Sequence, residues 1–114
     1  MMEQVQGVID SYNLYIENIT TGVQYIATQL RLDGTEEMFV AIKDFSEGVI
    51  WLSQVTELLK PYDIDTQLDI TKIEEFLIEI NKGLEIKDYI IVADMFEYEI
   101  APFFEELPII KLQQ

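Results

Sequence analysis

The chain has 114 residues and a mass of 13.3 kDa, a length that fits one domain and leaves no room for a second of ordinary size. Hydrophobic residues make up 49% of it and charged residues 25%, enough apolar surface to offset the entropy of ordering the chain, which excludes global disorder. The 22 Asp and Glu against 7 Lys and Arg give a net charge of −15, and the cations (Arg31, Lys43, Lys60, Lys72, Lys82, Lys87, Lys111) are scattered, whereas binding to nucleic acid or to an anionic membrane surface needs them clustered.

The acidity favours solubility and fast encounter with basic partners. No apolar run approaches the roughly 18 residues that span a bilayer, and Met1-Met2-Glu3-Gln4 has neither the basic nor the apolar region of a signal peptide. The absence of cysteine fits a reducing compartment, and a cytoplasmic location is expected.

Apolar residues recur at helical spacing in four successive stretches, which predicts helices at about 3–31, 35–60, 66–82 and 85–107. In the first, Val5, Val8, Tyr12, Tyr15, Ile19, Val23, Ile26 and Leu30 follow steps of three or four residues along one face. Leu32-Asp33-Gly34-Thr35 reads as a turn, with Asp33 and Glu36 at capping-box spacing. The second helix carries Met38, Ile42, Phe45, Val49, Leu52 and Leu59, widened by Trp51, Val55 and Leu58, and Lys60-Pro61 ends it.

Thr71 and Glu74 again stand at capping-box spacing near the start of the third helix, whose apolar face is Ile73, Leu77, Ile80 and Leu84. Gly83 is the expected left-handed cap at its end. In the fourth helix Tyr89, Ala93, Phe96, Ile100, Phe103 and Leu107 form the expected seam, and Pro102 is expected to kink the helix near Tyr98 by removing a backbone hydrogen bond. A competing reading makes Tyr89-Ile90-Ile91-Val92 a buried strand, but no partner strand with turn chemistry lies nearby. Short connections between long helices predict an all-α fold, an antiparallel up-down four-helix bundle.

Catalytic chemistry has little to build on. Without His or Cys there is no ordinary nucleophile–base pair, and the five glycines are too isolated to form a phosphate loop. Asp63 to Glu74 places oxygen side chains at the EF-hand positions, but Leu68 stands where the sharp turn requires glycine, so no metal is expected there. Asp94, Glu97 and Glu99 could in principle supply an acid–base pair, yet Glu97 and Glu99 flank opposite sides of the seam and cannot easily converge on one substrate atom. Neither an enzyme activity nor a cofactor or small-molecule substrate is expected.

A second apolar line on the fourth helix, Ile91, Met95, Tyr98 and Pro102, lies away from the seam. It belongs either to an irregular core or to an interaction face, ringed by Asp94, Glu97 and Glu99 and suited to a protein partner or to a second copy of the chain.

The same stretch, Lys87 to Pro102, resembles a C-terminal signature of small uncharacterised bacterial helical proteins, matching it at Asp88, Tyr89, Ala93, Asp94, Glu97, Tyr98, Glu99 and Pro102, with Met95-Phe96 where leucines are usual. The resemblance covers about the last quarter of the chain and implies a domain of unknown function. The function expected is therefore a non-enzymatic interaction module, with homodimerisation through the fourth helix as one form of it. The alternative is a small acidic chaperone of a secretion or flagellar export system that binds an amphipathic helix of its cargo.

Overall fold

A computed structural model describes residues 2–32 and 36–111; of the turn expected at 32–35, Leu32 is the last residue of the first helix, and residues 33–35, with the Asp33 cap, lie outside the described residues. The described chain is all-helical, with α1 over Met2–Leu32, α2 over Glu36–Leu59, a 3-10 turn at Lys60–Tyr62, and α3 over Ile70–Glu85. Next come α4 over Tyr89–Met95, a π-helical turn over Phe96–Ile100 and α5 over Ala101–Glu106, consecutive pieces of a fourth helix spanning 89–106. No strand is present among the described residues, and Tyr89 to Val92 are helical. The molecule measures 48 × 22 × 22 Å.

Each helix end has a local chemical cause. α3 begins four residues after the expected 66, because Asp69, not Thr71, is the N-cap: its Oδ1 accepts the Lys72 N–H at 3.1 Å. Asp88 does the same for the fourth helix, accepting the Ile91 N–H at 3.1 Å. Between them α3 closes in a Schellman arrangement: the Asp88 N–H donates to the Gly83 carbonyl at 2.9 Å and the Lys87 N–H to that of Leu84 at 3.1 Å. The left-handed residue is Lys87, at φ 57°; Gly83 is still helical and buried, and the cap expected of it falls four residues later. Gly83 is needed for a different reason. A Cβ there would collide with Val92 Cγ2, so the missing side chain lets α3 close onto the fourth helix.

Tyr12, Val23, Met38, Leu52, Ile80, Val92, Phe96 and Ile100 are core side chains removed from solvent. On α1, Ile9 and Ile16 are buried, while Val8 and Tyr15 pack at the edge of the core; Leu58 of α2 points to solvent. Aromatic edges tie the helices together: Tyr15 meets Trp51 at 5.9 Å between centroids, Phe45 meets Phe96 at 5.1 Å, and Phe76 meets Phe103 at 5.3 Å. The segment after α5 turns back on α1, where Asn13 exchanges two hydrogen bonds with the backbone of Ile110, at 2.7 and 2.9 Å.

The π turn decides which residues of the fourth helix are buried. The fully buried line is Val92, Phe96, Ile100 and Phe104, all four residues apart. In a straight α-helix such a line drifts by about 40° per step, and one π turn absorbs part of that drift with an extra residue. Its bond runs from the Ala101 N–H to the Phe96 carbonyl, one residue ahead of Pro102, which has no N–H to give. Phe104 therefore enters the core where the seven-residue spacing pointed to Phe103, and Phe103 packs half-buried on Phe76.

Tyr12 is the polar exception in this interior. Its hydroxyl is buried without a hydrogen bond, near the Thr56–Thr66 hydroxyl pair, which is itself closed at 2.8 Å. Burial pushes its ionisation up from 10.0; burial first and Asp44 second push Tyr15 up as well. Because the folded values are raised, this contribution to stability is complete below the ordinary tyrosine value and is lost as pH climbs through the raised folded value. Tyr12→Phe is expected to leave stability at neutral pH within about 1 kcal/mol of the wild type or above it, since a hydroxyl without a partner is removed. It should also reduce the loss of stability above about pH 10, as read from urea midpoints. A variant destabilised at neutral pH would mean that the hydroxyl is hydrogen-bonded.

Candidate functional site

The second apolar line of the fourth helix divides in the structure. Ile91 and Tyr98 stand in solvent at 53% and 67% exposure, whereas Met95 is only 5% exposed and belongs to the core. The fourth helix packs on both α1 and α3, so it buries two faces, and Met95 lies on the side covered by α3.

Two settings divide the surrounding charges. On the α1 side, Arg31 Nη2 reaches Asp94 Oδ1 at 2.7 Å and its Nε reaches Glu97 Oε1 at 3.5 Å, while the guanidinium lies 6.0 Å from the centroid of the Tyr98 ring. Asp94 and Glu97 hold Arg31 protonated beyond its ordinary range, and Glu97, by hydrogen bond first and charge second, pushes the Tyr98 hydroxyl up. These groups are open to water, so the cluster positions side chains more than it adds stability.

On the other side, Ile91, Asp94, Met95 and Glu99 line a groove of about 480 Å³ together with Lys72, Glu75, Phe76 and Glu79 of α3. The floor is apolar, from the buried Phe76 and Met95, Ile91 stands exposed at the rim, and the walls carry four carboxylates against the single ammonium of Lys72. Lys72 lies 5.3 Å from the Phe76 ring centroid and 3.5 Å from Glu75; Glu79 pairs loosely with Lys82 at 3.4 Å. Of the residues expected to form the site, four line this groove, and Glu97 and Tyr98 face Arg31 instead. Asp94 takes part in both settings.

The α3 wall escaped sequence reading, although Lys72, Glu75 and Glu79 recur at three- and four-residue steps, the spacing of one helical face. Arg31 escaped it because it lies 63 residues from Asp94 along the chain.

The EF-hand-like loop uses its oxygens locally. Asp65 Oδ1 accepts the Gln67 N–H at 2.8 Å, Thr66 Oγ1 accepts the Leu68 N–H at 3.2 Å, and Asp69 caps α3. Among the described residues, no group of Asp and Glu is arranged to hold a metal ion, and no helix is long and apolar enough to cross a membrane.

The described chain is thus all-α, and one of its grooves sets acidic side chains around an apolar floor. Residues 7–109 match a sequence family described as "Domain of unknown function (DUF8042)", and the chain belongs to that family. The match takes in nearly the whole chain, well beyond the C-terminal stretch that first suggested an uncharacterised family. No curated protein and no solved structure matches it.

Proposed function

We propose that this chain is a non-enzymatic protein-interaction module whose contact surface is the α3–α4 groove and the adjoining face of the fourth helix, with Ile91, Asp94, Met95, Glu97, Tyr98 and Glu99 as its contributions from that helix. The observation that supports this most is the combination of an apolar floor, acidic walls and an exposed Ile91 at the rim. The reading includes an up-down-up-down order of the helices, supported by the contacts of Tyr15 with Trp51, Arg31 with Asp94 and Phe76 with Phe103, which run in opposite senses along their helices. It also includes a bend ahead of Pro102, supported by the π turn. A bacterial source and a cytoplasmic location belong to it through the resemblance and the cysteine-free composition.

Two forms of the reading differ in what fills the groove: a second copy of the chain, or an amphipathic helix of a cargo protein, as for a chaperone of a secretion or flagellar export system. The acid-walled shape of the groove favours the second form. A photo-crosslinking residue at position 91, expressed in the source cells, is expected to yield one discrete protein adduct that the same residue at exposed position 14 of α1 does not give. Identical adduct patterns from the two positions would defeat the proposal.

A further inference from the structure

We infer that the occupant of the α3–α4 groove is a basic amphipathic helix and not a second copy of this chain, an inference that rests on the groove being the contact surface. The walls carry Glu75, Glu79, Asp94 and Glu99 against Lys72, on a chain of net charge −15. A two-fold dimer places each patch against its own copy, so these carboxylates would face carboxylates, and such like-charge contacts disfavour the pairing. A partner with Lys or Arg flanking an apolar stripe meets the walls with opposite charge and the floor with its stripe.

The details of the groove fit that partner. Arg31 engages one Asp94 oxygen, Oδ1, and a carboxylate has a second oxygen to offer an incoming cation. Glu99 forms no ion pair among the described residues. Ile91 supplies the exposed aliphatic surface against which an apolar stripe would pack, above a floor closed by the buried Phe76 and Met95. No strand edge exists among the described residues to pair with an extended peptide, so a helix laid along the groove between α3 and the fourth helix is the geometry available.

The test uses the full chain and two synthetic amphipathic peptides of about 16 residues, the length of α3, one of leucine and lysine and the other of leucine and glutamine. At a salt concentration of about 0.15 M, where the screening length is about 8 Å, the lysine peptide is expected to bind about tenfold more tightly than the glutamine peptide. The double variant Glu79→Lys/Glu99→Lys should weaken lysine-peptide binding about tenfold more than Glu37→Lys/Glu47→Lys, which changes the net charge equally on exposed positions of α2. Equal weakening by the two double variants would overturn the inference, because the attraction would then belong to the whole surface.

If both peptides bind equally and Ile91→Asp abolishes both, the basic partner is wrong and the groove stands. If Ile91→Asp changes neither, the groove itself is wrong as the contact surface. A wild-type dimer at micromolar concentration that Ile91→Asp dissociates would replace the basic helix with a second copy.

Discussion

Replacing Phe96 with alanine is expected to remove about 3–5 kcal/mol of folding stability, a large share of the roughly 5–15 kcal/mol that holds a domain together. Phe96 is fully buried and opens the π turn. Its ring stands edge-on to Phe45, which also meets Phe104 at 6.4 Å, and Phe104 meets Phe103 at 5.0 Å. Through Phe103 and Phe76 the chain of rings runs from α2 across the fourth helix to α3. Truncating Phe96 loses the apolar transfer free energy of the ring and leaves a cavity that the surrounding helices fill only in part. Urea denaturation at neutral pH measures the loss; a change below about 1 kcal/mol would mean that the ring does not occupy a packed interior.

The second large effect is expected at the crossing of α3 and the fourth helix. Gly83→Leu should cost about 3 kcal/mol, because the first added carbon already collides with Val92, a β-branched side chain with no freedom to retreat in a closed core. Lys87→Gly should instead stabilise by about 0.5–1 kcal/mol, since Lys87 adopts the left-handed conformation that glycine takes without strain. The pair separates two roles that a single glycine near a helix end suggests together. If Gly83→Leu were tolerated and Lys87→Gly destabilised, the close approach and the cap would both be misassigned.

The helices were legible because each apolar stripe repeats at helical spacing over many residues, and the existence of all four follows from that alone. What escaped was rotational. The register of the fourth helix changes at a π turn, and nothing in the residue spacing separates a drifting line of four-residue steps from a straight seven-residue seam, so Phe103 was expected where Phe104 is buried. Met95 shows the same limit. Its place on a second apolar line was visible, but whether α3 covers that line depends on how the helices pack.

The caps were less legible: Thr71 was expected near the start of α3, where Asp69 serves instead, and Asp88 at the start of the fourth helix was not singled out, because several short polar residues can serve an N-terminus. Gly83 misled because glycine near a helix end serves two physical purposes, and the residue pattern does not say which. The acidic character of the site was readable from Asp94, Glu97 and Glu99, whereas its second wall, Glu75 and Glu79, becomes part of one groove only when α3 lies beside the fourth helix.

The central claim, that the α3–α4 groove is the contact surface, is tested most directly by mapping backbone amide chemical shifts while the leucine–lysine peptide is added. The largest changes are expected at residues 72–79 and 91–99, with little at the cleft of about 330 Å³ between α1 and α2, where Gly22, Tyr25 and Ala41 stand. Shifts concentrated on that α1–α2 cleft, or spread evenly over the acidic surface, would contradict it.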